Sequence, residues 1–379
     1  MTATATWFDA PSLAAGAELA GRIADLSPAI AVDLRATGVR VRSDSDEHAD
    51  AVVAAASDLG LVADPAALQE LRVVVESADP AAVRPFWQRT LDYDPNQHDS
   101  GLEDPLRRDP ALLFRRSDET RPLRNRIHLD VVRPAAGVEQ ADLGEASGPY
   151  GVRHADPDGN EVDLVPGDPL GDTPSTADWH AVFSALACYR TTSPAQQRGL
   201  VAAAAALADD DGFPLLLDVR PGLVIVDSGK DRWEADGFVD LAAAVQAAAR
   251  ELGATADPRL PRFVQLFLDA ADVDALRAFW VAALGYVPDD RAGVTDIVDP
   301  RRLNPVLVFQ PLDAADTERR RQRNRIHLEL AVPTDQATAR VEALVAAGAD
   351  LRDHTDDRWH LTDPEGNELV VTQMADGST

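Results

Sequence analysis

Apolar and polar positions follow two different periods along the chain. Residues 262–269 form an apolar run interrupted at Gln265, which predicts a strand. Leu276, Phe279, Trp280 and Leu284 recur at helical spacing and predict a helix over 273–284. Short apolar runs predict strands over 306–310 and 326–332. A helix over 335–347 stops at Gly348, and strands over 359–362 and 368–372 flank a Pro-Glu-Gly-Asn turn. The succession strand, helix, strands therefore occurs twice in this last stretch. Residues 33–41 and 218–226 read as strand pairs, each followed by an alanine-rich helical stretch that ends at Gly60 or Gly253.

The same pattern recurs because the chain is a tandem repeat. Asn125-Arg126-Ile127-His128-Leu129 returns letter for letter as Asn324-Arg325-Ile326-His327-Leu328. Phe86-Trp87 matches Phe279-Trp280, and Asp156-Pro157-Asp158-Gly159-Asn160-Glu161 matches Asp363-Pro364-Glu365-Gly366-Asn367-Glu368. Further upstream Asp33-Leu34-Arg35 matches Asp218-Val219-Arg220. Three strong blocks in one order identify a duplication, organised A-B-A′-B′. The Pro-, Gly- and Asp-rich stretch that ends at Asp178 reads as the linker between halves.

Composition narrows the partners. Of 379 residues 64 are acidic and 36 basic, a net charge of −28, so nucleic acid and anionic membranes are unfavourable partners. Only Lys230 is a lysine, which leaves Schiff-base chemistry to that residue alone. The single cysteine, Cys188, forms neither an internal disulfide nor a thiolate zinc site by itself. No apolar run approaches the roughly 20 residues of a membrane span, and no basic residue precedes Arg22 as a secretory signal requires. A cytoplasmic location is the expectation.

The strand "FVQLFLDAADVDALRAFWVAALGY", the strand "NRIHLEL" and the turn "DPEGNEL" resemble the vicinal oxygen chelate superfamily, the glyoxalase-like and bleomycin-resistance-like fold. That resemblance implies βαβββ modules paired into a cup around a pocket. Each B part holds two modules and is expected to complete one cup. The A parts resemble pterin-4a-carbinolamine dehydratases more faintly, through "VDLRATGVRVRS" and "FPLLLDVRPGLVIV". The histidines of that family's His-His-Pro motif are replaced by Leu26-Ser27 and Gly212-Phe213, so no dehydratase activity is expected of them. The first A copy reads as lacking its N-terminal portion. The expected fold is α+β: glyoxalase-like domains over 67–168 and 258–379, dehydratase-like partner domains over 1–66 and 179–257, and a linker over 169–178. Partner domains of this kind serve docking or oligomerisation, and the halves pair within one chain or as a homodimer.

The resemblance also implies where metal ligands would stand: on the first and last strand of each module. In B′ these places hold Gln265, Phe309 or Gln310, His327 and Val370; in B they hold Arg72, Phe114 or Arg115, His128 and Asp163. Phenylalanine and valine do not ligate, and arginine repels a cation. With two ligands left per cup, a divalent metal is disfavoured, no cofactor is expected, and His98, His154, His354 or His360 would have to complete a site in another register. His128 and His327 alternate with apolar neighbours and are expected to face the cups as base, hydrogen-bond donor or ligand. Asp163 on the last strand is expected to raise the pKa of His128. Arg126 and Arg325 either attract a ligand anion or pair with acidic residues of the other half.

The expected catalytic residues are His128, Asp163 and His327, and the expected ligand contacts are Gln265, Arg72, Arg126, Arg325 and Gln310. The expected function is small-molecule binding in a cup, with metal-independent lyase or isomerase chemistry. The alternatives are ligand sequestration or a metal-dependent glyoxalase or dioxygenase. A pterin ligand in the A parts is a weaker third reading.

Overall fold

The computed structural model describes residues 4–43, 45–96 and 101–374. In B, strands Glu70–Ser77 and Leu112–Arg116 with helix Pro80–Leu91 make the first module; strands Ile127–Pro134 and Glu161–Pro169 with the short helix Ala135–Ala141 make the second. In B′ the counterparts are Phe263–Ala270, Val306–Pro311 and helix Val273–Leu284, then Ile326–Val332, Glu368–Gln373 and helix Ala337–Ala346. Asp79 and Asp272 start the first-module helices by accepting the amides of Ala81 and Ala275.

Strand alternation sorts every module into two faces. Val73, Leu129, Leu266 and Leu328 point into one apolar cluster that also holds Trp87 and Trp280 from the helices. Their neighbours Arg72, Asp130, Gln265 and Glu329 point the other way, into the cups. At about 25 cal/mol per Å² of apolar area removed from water, this shared cluster is the main force holding the four modules together.

The modules do not pair as expected. Strand Ile326–Val332 of B′ lies antiparallel to Glu70–Ser77 of B, with His327 opposite Val74. Strand Ile127–Pro134 of B lies antiparallel to Phe263–Ala270 of B′, with His128 opposite Phe267. Each cup therefore combines one module from each half, and neither B part closes a cup alone. An eight-stranded sheet forms the cup that holds His327; the cup that holds His128 is part of a 16-stranded sheet.

That larger sheet continues into the A parts. The first copy does have its N-terminal portion: strand Thr4–Asp9 and helix Leu13–Leu26 match Ala185–Arg190 and Pro194–Asp210. The two copies join edge to edge, with Asp33 opposite Asp218. One face of the joined sheet packs under helices; the other carries buried ions. Arg220 holds Asp33 at 2.5 Å and Arg35 holds Asp218 at 2.8 Å, each crossing between halves. Arg108 from B binds both Asp218 and Asp227 at 2.5 Å. Burial raises the pKa of Asp33, and the surrounding arginines outweigh it, keeping the carboxylate charged. Cys188 is a buried core residue whose thiol pKa is pushed up to about 12 by burial. No helix among the described residues is long and apolar enough to cross a membrane.

Candidate functional site

The repeated Asn-Arg motif is the clamp between the halves. Asn125 accepts the amide of Arg325 at 2.8 Å and donates to Asn160 at 2.7 Å. Asn324 accepts the amide of Arg126 at 2.9 Å and donates to Asn367 at 2.8 Å. The Arg126 guanidinium donates to the carbonyls of Glu365 (2.6 Å) and Arg320 (3.1 Å), and Arg325 to those of Leu123 and Gly159 (both 3.1 Å) and of Arg121. Both guanidinium groups are buried and occupied by backbone carbonyls, so neither arginine is placed to meet a ligand. Pairing with acidic residues of the other half is not their task either. The Asp-Pro turns belong to the same assembly: Asp156 and Asp363 accept the indole N–H of Trp87 and Trp280 at 2.9 and 3.0 Å.

Beyond this shared rim the two cups differ. In the His327 cup Glu329, two residues past the histidine, binds Arg115 at 2.7 Å and Arg358 at 2.8 Å, with Arg72 at 3.9 Å. Glu76 binds Arg121 and Arg323 at 2.7 Å, and Arg323 also binds Glu368 and Glu119. His327 Nδ1 lies 3.6 Å from Glu76 and 4.0 Å from Glu368 without a hydrogen bond. Burial drives its pKa down to about 3. Ion pairs occupy this concave face. Gln265, expected beside His327, lies in the other cup.

The His128 cup holds Gln265, Gln310, His128 and Asp163, with Asp130 behind them. His128 stacks on Phe267 with ring centroids 5.1 Å apart, and its Nε2 is 3.7 Å from Asp130. Asp130 accepts one hydrogen bond, from Gln265 Nε2 at 3.2 Å; its Oδ1 and the Gln265 Oε1 are buried without partners. Burial raises the Asp130 pKa to about 7. The His128 pKa is lowered, because burial outweighs the attraction of Asp269 and Asp163. The expected upward shift is thus reversed. Arg72, expected as a ligand contact, lies in the other cup and pairs with Glu70 at 2.9 Å.

A cavity of about 180 Å³ opens over this group, lined by Arg124, His128, Tyr150, Arg153, Asp163 and Gln310 among others. It exists because the second module of B is shorter. From the histidine to the Asp-Pro turn there are 28 residues in B and 36 in B′. Six of the eight residues are lost before the end of the second-module helix, which closes at Ala141 in B and Ala346 in B′, and the place of the outer strand Asp350–Thr355 of B′ is taken in B by a loop around Ser147–Val152.

Ligating atoms of His128, Asp130 and Asp163 lie within 4.8 Å of one another. One neutral imidazole and two carboxylates suit a divalent cation, and the unpartnered oxygens of Asp130 and Gln265 are the buried acceptors such an ion would satisfy. Asp130 adds a third group to the two expected ligands, His128 and Asp163, and strand alternation places residue 130 on the face of residue 128. The atoms of Glu76, His327 and Glu368 are similarly close, but Arg323 already binds both carboxylates and Arg121 also binds Glu76. Glu368 and Glu161 carry ion pairs at the cup rims, to Arg323 and Arg124. His154, next to Arg153, is half-buried, His354 and His360 are exposed, and His98 lies outside the described residues.

The family model of the glyoxalase-like domain matches residues 72–165 and 265–372, more than half of the chain. The chain belongs to the glyoxalase-like family. Among solved structures it is similar to glyoxalase I from Zea mays, at 10% identity and a TM-score of 0.42 over 80% of this chain and 93% of that one. A putative dioxygenase from Bacillus subtilis gives 9% identity and a TM-score of 0.40 over 81% and 85%. A glyoxalase/bleomycin resistance protein/dioxygenase family enzyme from Burkholderia phytofirmans gives 19% and 0.23 over 28% and 94%. No curated protein matches.

Proposed function

We propose that the His128 cup is the working site, binding a small organic molecule over a divalent cation held by His128, Asp130 and Asp163, with Gln265 as a fourth oxygen donor. The observation that carries this reading is the cluster of three ligating groups beneath an open cavity, where the other cup carries arginines. The cation would supply Lewis-acid polarisation of a bound oxygen. The chain's own residues do the rest. Neutral His128, fixed by Phe267, offers a lone pair rather than a charge. Gln310, anchored to Asp269, and the loop around Tyr150 orient the bound molecule and limit water. Lyase or isomerase chemistry, which moves a proton without changing redox state, is the reaction class we favour. The joined A parts serve as a scaffold, because their ionic face is consumed by pairs within the chain.

Calorimetric titration of the full chain with Mn²⁺ and with Zn²⁺ tests the reading. One ion per chain is expected, weakened about 100-fold or more by Asp163→Asn and by Asp130→Asn and unchanged in His327→Ala. Absence of binding, or binding lost in His327→Ala alone, overturns it.

A further inference from the structure

Arg124 and Arg153 stand at the mouth of the cavity and share a single acid. Arg124 donates through Nε to Glu161, and Arg153 Nη1 is 3.6 Å from the other oxygen of that carboxylate. Neither Nη of Arg124, and no guanidinium nitrogen of Arg153, makes a hydrogen bond to a described residue. Both side chains are partly exposed and both line the cavity, next to Tyr150 and Pro149. The two guanidinium groups share one carboxylate at the mouth and keep N–H groups without partners, on a chain whose net charge is −28. On a chain that repels anions in general, unpartnered guanidinium donors at one cavity mouth are where an anion would be held.

The other cup does not repeat this pair of unpartnered guanidinium groups at the equivalent places. Its counterpart of Arg124 is Arg323, whose nitrogens are taken up by Glu76, Glu119 and Glu368. Its counterpart of Arg153 is His360: Arg153 pairs with Asp163 across the strands as His360 pairs with Val370.

We propose that the ligand of the His128 cup is a small organic acid whose carboxylate is held by the free N–H groups of Arg124 and Arg153, with its remaining atoms directed toward His128. The pair offers more donors than one carboxylate needs, in the planar forks that match its two oxygens. The negative floor, with Asp163, sets the orientation: the anionic end is repelled there and held at the mouth. The inference rests on the His128 cup being the ligand site, and the test separates the two.

The probes are matched pairs, benzoate with benzamide and butyrate with butyramide, measured by saturation-transfer NMR against the full chain. Each acid is expected to bind about tenfold or more tightly than its amide, a difference of ~1.4 kcal/mol. Arg153→Gln and Arg124→Gln should each reduce that preference to about twofold or less, while Arg153→Lys retains part of it. His128→Ala should weaken acid and amide alike. Equal binding of acid and amide, both lost in His128→Ala, overturns the acid proposal and leaves the cup standing. A preference for acids that survives both glutamine variants, or no acid binding at about 10 mM, also overturns it. Acid binding that ignores His128→Ala but needs the arginines places the anion outside the cup and removes the underlying reading.

Discussion

In the His327 cup Glu329 is gripped by Arg115 and Arg358, whereas in the His128 cup Asp130, at the same place on its strand, has one hydrogen bond and a bare oxygen. The frames around them are alike: the same histidine, the same Asn-Arg clamp, the same tryptophan–aspartate contact under the sheet. The difference comes from a few positions. Arg72 faces Gln265, Arg115 faces Gln310, and Val370 faces Asp163 across the duplication. Arginine at the first two places turns a buried carboxylate into a settled ion pair, which stabilises structure and fills space. Glutamine at those places leaves the carboxylate available, and aspartate adds a second one. Most of the scaffold is thus shared between the repeats, while the open cavity and the unpartnered buried carboxylate oxygen are found over His128.

The largest expected effect lies where the cups agree. Arg126→Ala and Arg325→Ala each leave several buried carbonyls without donors, and each should cost about 3 kcal/mol in urea unfolding. Losses differing by more than about 1 kcal/mol would break the view that both rims bear equal load. A smaller effect tests where the cups differ. Arg72→Gln, Arg115→Gln and Val370→Asp together should give the His327 cup about a tenfold gain in Mn²⁺ affinity, ~1.4 kcal/mol, seen as a second calorimetric site. No second site would mean that Arg358 or the missing loop, rather than these three positions, sets the contrast. The effect with the shallowest slope is in pH. His327 is held near 3 when folded and returns to about 6.5 when unfolded, so only the unfolded chain takes up this proton between those values. Stability therefore falls as pH drops from about 6.5 toward 3, by at most ~1.4 kcal/mol per unit from this group. His327→Asn should flatten the slope of unfolding free energy against pH over that window; an unchanged slope would show that His327 is not buried neutral.

Periodicity made the modules legible, and the repeat made the duplication legible, because both are local or letter-for-letter signals. Module pairing was not legible. An apolar strand such as Ile326–Val332 fits Glu70–Ser77 as well as a strand of its own half, and the choice is made by the Asn125–Arg325 and Asn324–Arg126 bonds across 198 to 200 residues. The same arginines looked like ligand groups because sequence shows their charge and hides the carbonyls that absorb it. Asp130 stands outside the family's ligand positions, and only strand alternation, which puts it on the face of His128, signals it. The Asp33 and Asp218 strands alternate as though one face met water; that face is buried, and only the arginines gathered from both halves make it tolerable.

Exchange of modules between the repeats has an evolutionary consequence. Every substitution at a strand junction in one repeat is felt by a cup whose other wall is encoded about 200 residues away. The two copies were therefore never free to drift as separate genes fused end to end would be. A deletion of either copy removes half of both cups, so selection for the site proposed in the His128 cup would also preserve the one that ion pairs have closed.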